Sequence, residues 1–230
     1  MSDTVVVRDR GDAERHADPR IEAGAFGPWR TNAYLIWDGR SPEALVFDPG
    51  MGAAAALTAR AGQLGLTVQL VADSHGHIDH VYDNAAIVAA TGADLAIHPD
   101  DAYRLAAGGA DGWHLEPSRA TRDLSEGDRV TAGALAFVVL HMPGHTEGSV
   151  CLYEERHRLL LSGDTLFRGS WGRTDLAGGD DRRMVASLSR LARDFPHDVR
   201  VLPGHGEETT IGAELAWLER VASSGRLLPP

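Results

Sequence analysis

Lysine is absent from this 230-residue chain and cysteine occurs once, at Cys151. All 22 basic residues are therefore arginine, which with the abundance of Ala and Gly points to the codon bias of a GC-rich genome rather than to chemistry. A single cysteine excludes a disulfide framework and a thiolate metal site. Cys151 lies in the strand-like run Ser149–Tyr153 and reads as a small buried hydrophobe. No basic block offsets the net charge of -11, which excludes a nucleic-acid or anionic-membrane surface. No apolar run approaches the length of a membrane span. The first residues, with Asp3, Arg8, Asp9 and Asp12, lack the apolar stretch of a signal peptide, so the cytoplasm is the expected compartment. There are no repeats and no low-complexity tract. The most linker-like stretch, Gly108 to Gly112, is too short to separate domains and reads as a surface loop. Hydrophobic content of 43% and charged content of 24% are those of a globular chain able to bury a full core.

What the chain does contain is a concentration of imidazoles. Residues 74 to 80 read Ser-His-Gly-His-Ile-Asp-His, so His75, His77, Asp79 and His80 put four metal-competent side chains into six positions. Neutral imidazole and carboxylate suit zinc, iron or manganese. Two His separated by one residue share a face only in extended or loop backbone. The run from Val68 to Asp73 reads as a strand and that from Asn84 to Ala90 as a helix ended by Gly92. The cluster therefore sits on a strand-to-helix loop, where functional sites of α/β proteins gather. Asp79 and His80 fall near the helix start, where a carboxylate suits the positive end of the dipole.

Elsewhere, strands are expected at Val5–Val7, Thr31–Trp37, Ala44–Phe47, Leu95–Ile97, 135–141, 149–154, 158–162 and 199–202. Helices are expected at 53–64, ended by Gly65, at about 99–107, and at 181–194 and 211–222. Residues 9 to 20 read as a polar loop. Strands in antiparallel-looking groups with helices between them suggest two sheets, each covered by helices.

Three further segments repeat one grammar: an apolar strand, then a turn in which Gly precedes a ligand-type residue. They are Phe137 to Ser149 with Pro143-Gly144-His145, Leu159 to Phe167 with Ser162-Gly163-Asp164, and Val199 to Gly206 with Pro203-Gly204-His205. Singly, such a residue is more often a satisfied buried His or a turn Asp. Four strand-end clusters in one chain point instead to a shared metal site. His16, His98, His114, His157 and His197 have no such context and read as surface or packing residues. His141 stands closer and is a candidate for a supporting contact.

The ordered set Ser-His-x-His-x-Asp-His, Pro-Gly-His, Ser-Gly-Asp and Pro-Gly-His resembles the metallo-β-lactamase-fold hydrolase superfamily from about Asn32 to Gly206. The run Gly163 to Leu176, and Pro203-Gly204-His205-Gly206 followed by Thr209-Thr210-Ile211-Gly212, are similar to its short glyoxalase II-like branch. The resemblance implies an α+β fold, a four-layer αββα sandwich with metals at one edge between the sheets. It implies that His75, His77 and His145 hold one metal, that Asp79, His80 and His205 hold a second, and that Asp164 bridges them. Asp48 matches an early family Asp that orients a ligand by hydrogen bonding; a turn-capping Asp before Pro49-Gly50 is the plainer reading. Ser74 stands where the family more often has Thr.

The expected activity is hydrolysis of a thioester, an S-acyl thiol of the 2-hydroxyacylglutathione type, by attack of a metal-bound hydroxide on the carbonyl. A thiolate leaves without a separate general acid, and Asp79 is placed to orient or deprotonate the water. Zinc is the expected cofactor, as one or two ions, with iron or manganese admitted by the N and O donors. The partner is a small-molecule thioester, not nucleic acid or membrane. The family's full-length glyoxalase II enzymes carry a further C-terminal helical domain with basic glutathione contacts. Only about 25 residues follow Gly206 here, so a single metallo-β-lactamase-like domain over 1–230 is expected. Arg173 stands where a basic substrate contact occurs in the family, but Asp175 replaces an aromatic residue, and an Arg173–Asp175 ion pair is the alternative. A persulfide dioxygenase using one iron, or a lactonase or other ester hydrolase, shares these motifs. A non-enzymatic metal-binding or interaction module is disfavoured because no ligand position is lost.

Overall fold

A computed structural model describes residues 18–106 and 113–228. The expected strand at Val5–Val7, His16 and the Gly108–Gly112 loop lie outside those residues. Two six-stranded sheets make the frame, ordered β1-β2-β3-β4-β5-β6 and β12-β11-β10-β9-β8-β7. The first contains β1 (Arg20–Phe26), β2 (Thr31–Trp37), β3 (Glu43–Phe47), β4 (Thr67–Ala72), β5 (Asp94–Ile97) and β6 (Arg122–Asp123). The second contains β7 (Arg129–Ala132), β8 (Leu135–His141), β9 (Val150–Glu154), β10 (Leu159–Gly163), β11 (Arg200–Pro203) and β12 (Thr209–Thr210). Helices α1 (Ala53–Leu64), α2 (Ile78–Val81) and α3 (Asn84–Thr91) follow strands of the first sheet, and α4 (Asp181–Asp194) and α5 (Ile211–Ser224) accompany the second.

Strand alternation generates three apolar interlayers from this order. In β2, Tyr34 and Ile36 point between the sheets while Ala33 and Leu35 point toward α1. In β10, Leu159 and Leu161 join the inter-sheet core and Leu160 packs under α4 and α5. Both faces of these strands are buried, which is why they read as continuous apolar runs rather than alternating ones. The result is the αββα sandwich that the sequence motifs imply.

The expected antiparallel grouping holds for β1-β2-β3 and for β7-β8-β9-β10, but β3-β4-β5-β6 and β10-β11 pair in parallel. The cause is connectivity: a helix between two neighbouring strands carries the chain back before the next strand begins. Parallel pairing sets the carboxyl ends of β3, β4 and β5 at one edge of the first sheet, the usual position for a site. The helix expected at 99–107 is a 3-10 helix, Pro99–Ala106. Strand β1 meets the expected loop at residue 20 alone and otherwise runs where no element is expected, and β6, β7, β12 and α2 are short elements without a sequence signal of their own.

Cys151 sits on β9 with no solvent exposure, packed against the layer of α4 and α5, and its thiol donates to the Ser162 carbonyl at 3.4 Å. Burial pushes its pKa up to about 12, so the reactive thiolate is suppressed at neutral pH. Folded protein at pH 8 should take up no thiol-alkylating reagent, and denatured protein should take up one equivalent. Rapid stoichiometric labelling of the native state would show that this packing is wrong.

Candidate metal centre

All seven ligand-type residues converge at one edge of the sandwich. His75 and His77 lie on the loop after β4, Asp79 and His80 on the short helix α2 that ends it, and His145, Asp164 and His205 on the turns after β8, β10 and β11. The two sheets are tied together at that edge. The Asn32 N–H donates to the Gly204 carbonyl at 2.7 Å, the Asn32 side chain donates to Pro203 and Gly206, and the Tyr34 hydroxyl donates to Pro203 at 2.6 Å. Gly204 is required by the closeness of this approach. A Cβ there would run into the Asp164 carboxylate and the His80 ring.

Two triads result, His75–His77–His145 and Asp79–His80–His205. In the first, His75 Nε2 stands 3.1 Å from His77 Nδ1, His77 Nδ1 is 2.8 Å from His145 Nε2, and His145 Nε2 is 3.2 Å from His75 Nε2. In the second, His205 Nε2 lies 3.2 Å from Asp79 Oδ2 and 3.3 Å from His80 Nε2, and His80 Nε2 lies 3.4 Å from Asp79 Oδ2. Asp164 stands between them, with Oδ2 at 3.4 Å from His145 and 3.5 Å from His205, and Oδ1 at 3.3 Å from His80.

Whether this arrangement fits a cation follows from the outer nitrogens, whose partners fix the tautomers. His145 Nδ1 donates to the Arg173 carbonyl at 2.6 Å, and His80 Nδ1 donates to Asp48 Oδ2 at 3.1 Å. His75 Nδ1 donates to Ser74 Oγ at 2.9 Å, because the Ser74 hydroxyl proton is already committed to Asp48 Oδ2 at 2.7 Å. With those protons outside, the lone pairs of His75, His80 and His145 all point inward. Asp164 Oδ1 is also buried and lacks a hydrogen-bond partner despite its nearness to His80. Nitrogens bound 2.0–2.1 Å from one tetrahedral ion stand roughly 3.4 Å apart, near the separations seen here. The donor set is all N and O, as zinc, iron or manganese accepts. The residues present therefore fit a resident metal.

The electrostatics divide along the same line. Burial, reinforced by neighbouring imidazoles, holds His75 well below the usual histidine pKa and His77 down to about 3, and burial lowers His145 as well. These are neutral imidazoles, the form that binds metal. In the second triad burial opposes charge on His80, but Asp164, Asp79 and Asp48 outweigh it and raise the His80 pKa well above normal. Burial likewise resists ionisation of Asp79 and Asp164, and the adjacent His80 and His205 hold both below the usual range. The acidic half thus demands positive charge, from a proton or from a metal.

Two buried carboxylates that are not ligands organise the loops. Asp48 accepts the Ser74 N–H at 2.6 Å, the Ser74 hydroxyl and His80 Nδ1–H, so it positions one histidine in each triad. Its backbone is left-handed, with φ 51°, a conformation Asp tolerates better than most residues. It is the orienting residue of the two readings that the sequence allowed. Asp101, fully buried, accepts the Gly76 N–H, the Thr146 hydroxyl and the Gly148 N–H, joining the loop of His75 and His77 to that of His145. Nothing in the run Pro99-Asp100-Asp101 marks it in the sequence; only the packing of the 3-10 helix across both loops does.

Other expectations resolve differently. The Arg173 side chain, more than half exposed, pairs bidentately with Asp175 at 2.6 and 2.7 Å; its backbone carbonyl is the part that orients His145. His141 donates through Nε2 to the Glu147 carbonyl and stacks on His98 at 4.1 Å and 13°. With Asp100 the two rings form a separate, partly exposed group whose ligand-type atoms lie within 4.8 Å of one another, apart from the seven residues of the triads and Asp164. His98, His114, His157 and His197 all stand outside the triads.

His77, Asp79, His145, Asp164 and His205 form the floor of a cavity of about 700 Å³, with His75 and His80 fully buried behind them. Its walls are Trp29, Ile78, Tyr103, Trp113, Leu115, Phe167, Leu176 and Ala177, with Arg104 and Arg173 at the sides. Trp29 and Trp113 pack 4.9 Å apart, and Phe167 meets His205 edge-on at 5.8 Å.

Residues 26–205 match the model of the metallo-beta-lactamase superfamily. A hydroxyacylglutathione hydrolase of Haemophilus influenzae, GloC, is 30% identical over 205 residues, covering 84% of this chain and 94% of that protein. Among solved structures, the BLEG-1 B3 metallo-beta-lactamase superposes with a TM-score of 0.81 at 32% identity, over 88% of this chain and 99% of that one. A protein named TTHA1623, solved in a di-iron-bound form, gives 0.75 at 38% identity, over 84% and 96% of the two chains.

Because Asp48 serves both triads, Asp48→Asn should weaken metal binding about 10–100-fold, the usual cost of losing an orienting partner. Asn keeps the volume and tolerates the left-handed backbone, so circular dichroism should be unchanged. Competition with a chromophoric chelator measures the loss; wild-type affinity would refute the positioning role. Metal added to chelator-treated protein at 100 times its Kd contributes about 2.7 kcal/mol. For a domain of this size that raises the melting midpoint by roughly 5–10 °C, a rise that His75→Ala should diminish sharply.

Proposed function

The chain belongs to the metallo-β-lactamase superfamily, and on that premise we propose that it is a metal-dependent hydrolase that cleaves thioesters of the S-acyl thiol class. The observation that carries this reading is the floor of the cavity. Imidazole and carboxylate donors converge there, and no Ser, Thr, Cys or Lys side chain lines the cavity among the described residues. Cys151 is remote from that lining and buried.

His75, His77 and His145 would hold one ion, Asp79, His80 and His205 a second, and Asp164 would lie between them. When bound, such ions polarise a carbonyl and lower the pKa of water. Zinc suits the donors, and the di-iron form of the 38% identical relative supports iron beside it.

The chain's own residues supply the remaining steps. Asp79, its Oδ2 fixed by the Thr31 hydroxyl at 3.1 Å, lines the cavity, and its carboxylate orients the attacking water or takes its proton. Water adds to the acyl carbon, the C–S bond breaks, and the thiol departs as a thiolate. A thiolate is stable enough to leave without a proton donor, and no acidic side chain other than the ligand-type carboxylates lines the cavity among the described residues. The hydrolase-named relatives support ester cleavage as the reaction class.

Metal-reconstituted protein should hydrolyse a panel of S-acyl thioesters and show no persulfide-dependent oxygen uptake. Oxygen consumption with one iron per chain would replace this reading with a dioxygenase, and turnover of lactones alone would replace it with a lactonase. Asp79→Asn should lower kcat at least about a hundredfold, the range for a positioned base. Metal content measured on the same sample separates loss of the base from loss of the ion.

A further inference from the structure

The walls of the cavity bear on the thiol that the hydrolase reading leaves open. Resting on that reading, we propose that the substrate's thiol carrier bears no carboxylate or phosphate: it is an uncharged thiol whose thioester packs against the aromatic wall.

Charge is the first argument. Among the described residues lining the cavity, the permanently cationic side chains are Arg104 and Arg173. Arg104 donates through Nη2 to Glu147 at 2.7 Å and to the Ala177 carbonyl at 2.8 Å. Its Nε lies 3.5 Å from Asp101, and its guanidinium lies over the Tyr103 ring at 4.9 Å. It is an internal strut, immobilised on three sides. Arg173 is forked onto Asp175 two residues away. An incoming carboxylate would have to displace an intramolecular one already in bidentate geometry. The chain's net charge of -11 further disfavours an anion.

Shape is the second argument. Trp29, Tyr103, Trp113, Leu115, Phe167 and Leu176 supply apolar surface on both sides of the floor. Trp113, Tyr103 and Leu176 remain 41%, 57% and 42% exposed, unusual for such side chains. Apolar walls around a few convergent polar groups are the ordinary form of a small-molecule site, and here the convergent groups are those of the metal centre. An anionic carrier such as glutathione would bring charge to a wall with no free counter-charge among the described residues, a desolvation loss without compensation.

The test uses the zinc-loaded full-length protein and two non-hydrolysable thioethers, S-benzyl-N-acetylcysteamine, which is neutral, and S-benzylglutathione, which is anionic. Titration calorimetry should show the neutral probe binding at least about tenfold tighter, with little dependence on salt. Trp113→Ala should weaken the neutral probe about tenfold by removing aromatic contact area. Asp175→Asn should release Arg173 and tighten S-benzylglutathione up to about fivefold, the scale of an exposed ion pair, leaving the neutral probe unaffected. Equal or tighter binding of S-benzylglutathione to the wild type, or binding of neither probe, overturns the proposal. The matching S-benzoyl thioesters separate it from the hydrolase reading. If the neutral probe binds preferentially but neither thioester is cleaved, the hydrolase reading fails and the carrier proposal stands. If the glutathione thioester is cleaved and its thioether bound in preference, the reverse holds.

Discussion

The metal-competent edge of this protein depends on one carboxylate with no access to solvent. Asp48 ends β3 in a left-handed conformation and is held by the Ser74 N–H, the Ser74 hydroxyl and His80 Nδ1–H. Burying an ion is costly unless hydrogen bonds replace its water, and these three charge-assisted bonds do so. The same bonds place the outer protons of His75, through Ser74, and of His80. One anion behind the loop therefore decides which way two imidazoles turn their lone pairs in front of it. The sandwich serves this arrangement by carrying β3 and β4 side by side, with Asp48 N–H bonded to the Ala72 carbonyl at 3.1 Å. The carboxylate and the loop it organises thus leave the sheet in fixed register.

Orientation of this kind stores a conflict. His75 Nε2 and His145 Nε2, 3.2 Å apart, both turn electron density toward a common point, and they repel unless positive charge, from a proton on His77 Nδ1 or from a metal, stands between them. In the acidic triad three carboxylates favour positive charge at His80, whereas burial penalises the charged form of the all-histidine triad. The fold maintains that geometry because the ligand loops leave packed strands and are pinned by Asp48 and Asp101. The conflict is consequently resolved by binding rather than by movement, and the energy released by an ion becomes stability of the whole edge.

Much of this was legible in the sequence, for reasons that differ from element to element. Strand β2 and helices α1, α3 and α4 appear at nearly the expected bounds, because continuous apolar runs and terminal glycines such as Gly65 and Gly92 report local physics. The seven ligand-type residues were readable because unusual residue types recur behind a shared strand–Gly turn. What stayed hidden depends on distant pairing. Strand β1 pairs with β2 over its full length but is only partly buried, so its own pattern is weak. Asp101 looks like any acidic residue near a helix start until the 3-10 helix places it between two ligand loops. Arg173 drew attention for its charge, whereas its carbonyl, invisible to residue type, is what touches His145. The parallel half of the first sheet followed from the connecting helices, not from the strands themselves.

Floor and walls of the cavity act on each other. Apolar side chains beside the centre lower the local dielectric, so every charge and dipole at the floor acts more strongly than it would in water. The aromatic surface that strengthens the chemistry also governs entry, because a group that crosses it loses its hydration there. With Arg104 held as a strut between Glu147, Asp101 and Ala177, and Arg173 occupied by Asp175, the wall offers an entering anion little in exchange. An electron-rich floor tolerates such walls only if a cation answers its charge, and Asp48 and Asp101 hold the loops on which its donors stand. Selectivity at the mouth and activation at the floor are thus two results of a single distribution of charge, fixed where the strands end.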